Sequence, residues 1–447
     1  MRARPAKLSW GQDGQQKMAV QQVIGLDIGT SRIKFVEAHV GRRGPVITAA
    51  GIGLTPRDTI SNGVIVDPDT LGAAVRQLLD QHGVKTKAVI SSVASQSSLV
   101  VRPIEVPRMT RQELAQTMQF EVERHIPFAA SEVVMDFQPM VAPEQLPAEA
   151  QNMDVLLAVA QEDMINNHVE TLFRAGLDPV ALDVEPLSAC RSLIDINAEE
   201  GAYEHTYALL NIGATTTDLS IIRRGLLSFT RPVPMAGDNI TQAIADALGY
   251  EFHEAERLKL EHATLFVEQA PALPQAPVER APAPPLAPEP EEGLSFLTPS
   301  EEEEESGRPV FDLGGGDVKP IEMGGGEEPE ESALPTVHKP GVGTPQRQVY
   351  DAILPIMVDL VAEVRRSIDY YANKFPDSRV DKILLFGGTA SIANLPEFLA
   401  NEVGVPVAVG NPFLRLEVDR KVPAEIAEHQ ACYMPIVVGL AIRDMIG

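Results

Sequence analysis

A strand–turn–strand pattern that occurs twice is the feature that most constrains how this chain can fold. Residues 23–44, VIGLDIGTSRIKFVEAHVGRRG, place apolar and β-branched stretches on both sides of a turn at Gly29. Residues 207–225, YALLNIGATTTDLSIIRRG, repeat the pattern about 184 positions later, and each copy runs into a third apolar stretch, at 45–52 and 226–233. Because self-similarity of this kind indicates duplicated structural units, the sequence predicts two related three-stranded elements.

The glycine at the tip of each hairpin has a physical use. Gly29 and Gly213 let the backbone bend so that successive N–H groups point outward and attract an anion. Neighbouring hydroxyl groups add donors, at Thr30, Ser31, Thr215 and Thr216. Two such tips facing each other would clamp a polyphosphate, and Asp27 is placed to hold Mg²⁺ through water. Either tip alone could be a structural hairpin turn; the pair favours a phosphate site.

Two further stretches complete the predicted cleft. Residues 382–390, KILLFGGTA, form a buried-type strand that ends in two glycines, before a predicted helix at 395–403 and a strand at 406–409. Glycines after a strand allow close approach of a sugar or phosphate at the carboxyl end of a sheet. The second hairpin continues past Gly237 into a predicted helix, with Asp238 as its N-cap.

Composition excludes several classes of protein. The chain has 447 residues, 44% of them apolar, and a formal net charge of −26, which argues against nucleic acid or anionic lipid as a partner of the whole surface. The two cysteines, Cys190 and Cys432, lie in apolar stretches and are predicted to be reduced core residues. No apolar run reaches the ~18 residues of a transmembrane helix, so we expect a soluble protein.

Two segments are predicted to lie outside the folded core. Residues 1–20 are polar and basic without an apolar signal region, which indicates a disordered leader and leaves Met1 or Met18 as the start. Residues 264–345 hold 17 acidic and 4 basic residues and 15 of the 36 prolines, which predicts a disordered insertion. An acidic interaction segment is the alternative for this insertion.

Residues 100–179 have a different pattern. Extended stretches at 99–106 and 133–141 enclose a helical stretch at 111–124, and a strand at 155–160 and a helix at 162–175 follow. This arrangement predicts a small α+β subdomain.

Several stretches together resemble the PilM family of type IV pilus assembly proteins, relatives of the cell-division protein FtsA in the actin and Hsp70 superfamily. They are SSVASQSSLVVRPIEVPRM at 91–109, FEVERHIPF at 120–128, LDVEPLSACRSL at 182–193, YEFHEAERLKL at 250–260 and LLFGGTASIANLPEFLANEVGVPVAVGNPF at 384–413. The resemblance implies an α/β, two-lobed actin-like ATPase fold of duplicated RNase H-like domains, with an inserted α+β subdomain. The implied division is a leader at 1–20, a first lobe at 21–99 and 180–203, the subdomain at 100–179, a second lobe at 204–263 and 346–412, the insertion at 264–345 and a return to the first lobe at 413–447.

The resemblance also implies a site for ATP and Mg²⁺. Its phosphate loops would be Gly29, Thr30 and Ser31, and Gly213, Ala214, Thr215 and Thr216; its adenosine loop would be Gly387, Gly388 and Thr389. Lys34 would touch phosphate, although the residues alone equally suggest an exposed strand lysine. Glu256 and Lys259 share a helical face and would flank the ribose and base, where the residues alone predict a solvent-exposed ion pair.

Two residues bear on whether such a site would hydrolyse ATP. Glu185, before Pro186, resembles the carboxylate that positions attacking water in Hsp70-like ATPases, or it is a structural residue at a strand end. Asn211 stands where many ATPases carry a second Asp that coordinates Mg²⁺. Because phosphoryl transfer depends on charge neutralisation, we expect ATP binding with weak or no turnover.

The function implied by the family is a cytoplasmic ATP-binding adaptor of the type IV pilus assembly platform, which serves twitching motility. It would bind the N-terminal cytoplasmic peptide of PilN, associate through the PilN/PilO complex with the inner membrane, and link that complex to the assembly motors. Its oligomeric state is left open. One alternative, an FtsA-like membrane-associated filament protein, requires a C-terminal amphipathic helix that residues 445–447 do not supply. A small-molecule kinase, the other alternative, requires an Asp general base for which the sequence has no signal.

Overall fold

The computed structural model describes residues 22–94, 98–126, 129–141, 145–196, 202–265 and 344–446. The predicted leader at 1–20 lies outside the described residues, and so does nearly all of the predicted insertion at 264–345. Within the described part of the chain, none of the helices combines the length and the apolar character that crossing a membrane requires.

The strands are numbered in chain order. They are β1 (Gln22–Ile28), β2 (Arg32–Gly41), β3 (Gly44–Leu54), β4 (Ile60–Ser61), β5 (Val64–Ile65), β6 (Ala88–Val93), β7 (Leu99–Pro107), β8 (Val133–Pro139), β9 (Asn152–Gln161), β10 (Asp178–Val184), β11 (Thr206–Ile212), β12 (Thr217–Arg223), β13 (Leu226–Val233), β14 (Lys382–Phe386), β15 (Val407–Val409) and β16 (Glu417–Val418).

The α-helices are α1 (Pro68–Gln81), α2 (Arg111–His125), α3 (Glu162–Arg174), α4 (Glu185–Cys190), α5 (Gly237–Leu248), α6 (Phe252–His262), α7 (Pro345–Lys374), α8 (Leu395–Val403) and α9 (Pro435–Ala441). Short 3-10 turns occupy Ala130–Glu132, Ala202–Glu204, Gly388–Ser391 and Ala431–Tyr433, and π-helical turns occupy Arg191–Asp195 and Glu425–His429.

The first large sheet has the strand order β10-β6-β1-β2-β3-β16. Its central strand β1 is buried over five consecutive residues, which is typical of a strand covered on both faces. Helix α9 packs directly on it: a side chain at Gly25 would place its Cβ 2.2 Å from the carbonyl oxygen of Val437. The C-terminal helix therefore rests on the strand that leads into the first hairpin tip.

The second large sheet has the order β13-β12-β11-β14-β15 and repeats the plan of the first. In both sheets an antiparallel meander (β1–β2–β3 or β11–β12–β13) is extended by two parallel strands, β6 and β10 or β14 and β15. The duplicated three-stranded element predicted from the sequence is thus confirmed.

A third, three-stranded sheet carries the inserted region. Its order is β7-β9-β8, and it shares an apolar core with α2 that includes Ile104, Leu114, Met118 and Leu157. Thr110 caps α2 through a reciprocal pair of hydrogen bonds with Glu113. The α+β elements predicted between residues 99 and 175 are therefore present, while the domain boundaries predicted from the sequence stay a prediction.

One local prediction is wrong. Helix α5 begins at Gly237 with Ala236 as its N-cap, where Asp238 was expected. The side-chain oxygen of Asn239 accepts a hydrogen bond from the backbone N–H of Ala236 at 2.9 Å, and the N–H of Asp238 donates to the carbonyl of Ala214 at 2.7 Å. Because a neighbouring loop supplies this acceptor, the helix starts two residues earlier than its sequence suggests.

Candidate functional site

All residues that the sequence singled out for a site lie in one cleft. The cleft lies at the carboxyl ends of β1, β10, β11 and β14, where ligands bind in open α/β sheets. The predicted residues that line it are Asp27, Gly29, Thr30, Ser31, Lys34, Glu185, Gly213, Ala214, Thr215, Thr216, Glu256, Lys259, Gly387, Gly388 and Thr389. Its cavity of about 170 Å³ is smaller than the ~300–1,000 Å³ of typical small-molecule sites, so a larger ligand would extend into the mouth or widen the cleft.

The two hairpin tips have the same backbone geometry. The N–H of Gly29 donates to the carbonyl of Arg32 at 3.1 Å, and the N–H of Gly213 donates to the carbonyl of Thr216 at 3.0 Å. Across the cleft, the hydroxyl oxygens of Thr30 and Thr215 lie 3.5 Å apart. The tips therefore face each other closely enough for both hydroxyls to reach one anionic group.

Neighbouring elements hold each tip in place. The hydroxyl of Thr55 donates to the carbonyl of Gly29 at 2.7 Å on the first tip. On the second, the N–H of Gly237 and the hydroxyl of Thr389 donate to the carbonyl of Gly213 at 3.1 and 3.2 Å. The second tip is thereby tied to the start of α5 and to the third glycine loop.

The duplicated hairpins carry different charges at equivalent positions. In the first hairpin Asp27 lies opposite Lys34, and in the second Asn211 lies opposite Asp218. Lys34 forms an ion pair with Asp27, and the two side chains are only 15% and 4% exposed. The interpretation of Lys34 as an exposed strand lysine is therefore wrong.

Asp218 is a cleft residue that the sequence analysis missed. Its Oδ1 is buried without a hydrogen-bond partner in the described part of the chain, and burial raises its pKa to about 7. The signal was present in the sequence, because Asp218 follows Asn211 by the same seven residues that separate Lys34 from Asp27. Asp218 therefore supplies a second aspartate carboxylate to the cleft. The sequence analysis had inferred from Asn211 that this second aspartate was absent.

Glu185 starts α4, immediately after β10. Its Oε2 accepts a hydrogen bond from the side-chain amide of Asn211 at 3.3 Å. Burial, reinforced by the carboxylates of Asp27 and Asp218, raises the pKa of Glu185 well above its ordinary value. Three carboxyl groups therefore meet here with limited access to water, a state that a bound cation would stabilise.

The third glycine loop closes one side of the cleft. Gly387 has φ = 94°, and a Cβ there would lie 2.5 Å from Oδ1 of Asn211, so only glycine fits. The N–H of Gly387 donates to the carbonyl of Cys432 at 2.9 Å.

Cys432 and Cys190 are both buried and form no disulfide, as predicted.

Lys259 is buried, in contrast to the exposed ion pair that its residues alone suggest. Its ammonium donates to the carbonyl of Gly237 at 3.0 Å and to the hydroxyl of Thr241 at 2.8 Å, and it lies 2.6 Å from Oε2 of Glu256. These acceptors match the three N–H donors of a lysine, so Lys259 holds α6 to the start of α5.

The oxygen groups of the cleft suit Mg²⁺ better than a protein-held transition metal. Within the described residues, no group of three or more His, Cys, Asp or Glu side chains is placed to hold a metal ion. Mg²⁺ keeps several water ligands and is usually bound through one or two carboxylates together with phosphate oxygens. Asp27 and the unpartnered oxygen of Asp218 fit this requirement.

Comparisons with known proteins find similarity to pilus assembly and cell-division proteins. A family model described as type IV pilus assembly protein PilM matches residues 25–265, and one described as cell division protein FtsA matches residues 208–429. The cell division proteins FtsA of Escherichia coli (strain K12) and Pseudomonas aeruginosa (strain PAO1) are 25% and 24% identical over 257 and 271 residues. These alignments cover 54% and 56% of this chain, which spans only 60% and 63% of the two relatives.

A solved structure resembles the whole fold. The PilM-PilN type IV pilus biogenesis complex superposes with a TM-score of 0.71 and 23% identity, over 95% of this chain and 99% of the matched chain. The fold is therefore the actin-like ATPase fold expected from the sequence, with an inserted α+β subdomain.

Proposed function

The chain belongs to the family of type IV pilus assembly protein PilM, and from this premise we propose that it is an ATP-binding adaptor of the type IV pilus assembly platform. The observation that carries the nucleotide part is the pair of facing glycine tips, whose hydroxyls at Thr30 and Thr215 lie 3.5 Å apart. The hydroxyls of the two tips are donors suited to the oxygens of a polyphosphate, which would bind between the tips.

Each element of the cleft has a role in this proposal. The two tips would bind and orient the phosphate chain, and the loop at Gly387 would approach the adenosine. Asp27 and Asp218 would hold Mg²⁺ through water. When bound, Mg²⁺ would neutralise phosphate charge and the surplus of cleft carboxylates. Lys259 and Glu256 support the nucleotide by fixing α6 against α5.

We expect little or no hydrolysis. Glu185, the candidate residue for positioning water, has a raised pKa and accepts a hydrogen bond from Asn211. A carboxyl group that retains its proton is a poor acceptor for a proton from attacking water. The bound nucleotide would then act as a structural ligand that fixes the relation of the two lobes.

The partner in this proposal is the cytoplasmic N-terminal peptide of PilN. The solved complex that resembles this chain contains PilM with PilN, which supports the same partner here. Through PilN and PilO the adaptor would associate peripherally with the inner membrane from the cytoplasm. The link to the assembly motors stays a prediction.

The first experiment measures nucleotide content and phosphate release on the same purified sample of the wild-type chain. The Asp27→Asn variant is measured in parallel, and Asp359→Asn, at an exposed helix position, is the control. Retained ATP without phosphate release, lost in Asp27→Asn alone, supports the adaptor. No binding of Mg·ATP at millimolar concentration contradicts the nucleotide part. Steady release that depends on Asp27 contradicts the expectation of weak turnover and makes Glu185 the next residue to replace.

The partner is tested separately with the labelled N-terminal peptide of PilN in fluorescence anisotropy, with a scrambled peptide as control. Saturable binding of the native peptide alone supports the proposal. A chain that binds nucleotide but not this peptide would point to the second candidate, an FtsA-like filament protein, which the family-model match over 208–429 favours. Sedimentation of the chain with Mg·ATP then tests filament formation directly.

A further inference from the structure

Arg32 lies at the mouth of the cleft directly after the first hairpin tip. It is the first residue of β2, and its carbonyl accepts the hydrogen bond from Gly29 that closes the tip. Successive strand residues face opposite sides, so Arg32 and Lys34 share one face of β2, and both line the cleft. The side chain of Arg32 is half-buried at this position.

The other cations of the cleft are already neutralised. Among the described residues that line it, three are basic: Arg32, Lys34 and Lys259. Lys34 pairs with Asp27, and Lys259 pairs with Glu256. The guanidinium of Arg32 instead lies over the ring of Tyr433, 5.6 Å from its centroid, and no carboxylate contact to Arg32 is found within the described residues.

Tyr433 connects Arg32 to the other side of the cleft. Its ring lies against Gly388, where an added Cβ would be 3.1 Å from Cε1 of the tyrosine. The preceding residue, Cys432, accepts the hydrogen bond from Gly387. Arg32 is thus located between the first tip, which would hold phosphates, and the loop that would approach the adenosine.

From this position we propose that Arg32 binds the part of the phosphate chain nearest the nucleoside, and that Tyr433 holds its guanidinium when no nucleotide is present. The inference rests on the proposed nucleotide site. A guanidinium forms paired, charge-assisted hydrogen bonds with phosphate oxygens that outweigh a stacking contact with an aromatic ring. Binding would therefore move Arg32 from Tyr433 to the ligand.

The test compares Mg·ATP, Mg·ADP and adenosine as ligands in titration calorimetry. The variants are Arg32→Gln, Arg32→Lys and the control Arg42→Gln, which removes the same charge from an exposed turn at the other end of β2. We expect Arg32→Gln to weaken ATP and ADP binding about tenfold each and to leave adenosine binding unchanged, because only the phosphates lose a partner. Arg32→Lys should recover part of the loss, and Arg42→Gln should match the wild type.

Three results would overturn the inference while leaving the nucleotide site intact. ATP binding by Arg32→Gln could equal that of the wild type, adenosine binding could weaken in the same proportion as ATP binding, or Arg42→Gln could cause the same loss. The second result would mean that Arg32 acts by holding Tyr433. A wild-type chain that binds none of the three ligands would instead contradict the proposed function, and this inference with it.

Discussion

The hydroxyl oxygens of Thr30 and Thr215 lie 3.5 Å apart although 185 residues separate them in the chain. Each belongs to the tip of one copy of the duplicated hairpin. A phosphate group bound at this point would accept hydrogen bonds from both copies at once. The relationship predicts that the two threonines act together on one ligand group.

A double-mutant cycle tests this prediction. We expect Thr30→Ala and Thr215→Ala each to weaken Mg·ATP binding about tenfold, since a hydrogen bond to a charged group contributes ~1.5–3 kcal/mol. The double variant should lose less than the sum of the two free-energy changes, because the remaining hydroxyl cannot orient the phosphate alone. Calorimetric titration gives all four affinities, with Thr70→Ala on the exposed face of α1 as control. Strict additivity would show that the hydroxyls bind separate groups.

Asp218 is predicted to stabilise the complex with Mg·ATP and to destabilise the folded protein when no ligand is bound. Burial raises its pKa to about 7, and its Oδ1 lacks a partner among the described residues. A carboxyl group whose pKa is higher in the folded state destabilises that state increasingly as pH rises from its unfolded value of ~4 to about 7. Asp218→Asn should therefore raise the free energy of unfolding in Mg²⁺-free buffer, by about 2 kcal/mol more at pH 8 than at pH 5.

The same variant should lose the stabilisation that Mg·ATP gives. Thermal unfolding with and without Mg·ATP measures both effects in one series, and Asp359→Asn on the exposed face of α7 is the matched control. An Asp218→Asn variant that is less stable than the wild type at pH 8, or that keeps the full shift with Mg·ATP, contradicts the assignment.

Lys259 is predicted to contribute to the stability of the fold more than to contact with the ligand. Its three donors are matched by Gly237, Thr241 and Glu256, so Lys259→Met leaves Glu256 in a partly buried site without its cation. We expect a loss of about 3 kcal/mol in the free energy of unfolding without nucleotide, since removal of one partner of a buried pair leaves an uncompensated charge. Chemical denaturation measures the loss, and Lys382→Met on an exposed strand position should cost less than ~0.5 kcal/mol. Unchanged stability with weaker ATP binding would instead favour direct contact.

Local patterns in the sequence predicted the elements that depend on neighbouring residues. The hairpins, their glycine tips and the strand before Gly387 were found because alternation, β-branching and glycine position are local properties. The same patterns also allowed us to predict that the cleft residues lie close together, since the carboxyl ends of parallel strands meet at one edge of a sheet.

Features that depend on tertiary contacts were missed. The burial of Lys259 follows from the packing of α6 on α5, and the start of α5 follows from the carbonyl of Ala214. The contact between Arg32 and Tyr433 joins the two ends of the described chain. No spacing rule relates such residues, so sequence reasoning had no basis for them.

A buried histidine links the cleft strand β1 to helix α3. Nε2 of His168 lies 2.8 Å from the hydroxyl oxygen of Ser91, and that hydroxyl donates to the carbonyl of Leu26 at 2.8 Å. Since the single hydroxyl proton is used on Leu26, Nε2 of His168 carries the proton of the remaining hydrogen bond and the ring is neutral. Burial lowers the pKa of His168 to about 4, opposed in part by the charge of Asp27.

Stability should therefore fall as the solution is acidified from pH 6.5 to about 4. In this window the unfolded chain gains a proton at His168 and the folded chain does not, so the contribution present above pH 6.5 is progressively lost. The shift corresponds to about 3 kcal/mol in the free energy of unfolding. His168→Gln keeps a side-chain N–H for Ser91 without titrating, and we expect its stability to vary less with pH over this window, whereas the exposed His253→Gln should follow the wild type. Parallel pH profiles for the wild type and His168→Gln, measured by urea denaturation, would show that His168 takes up its proton equally in both states.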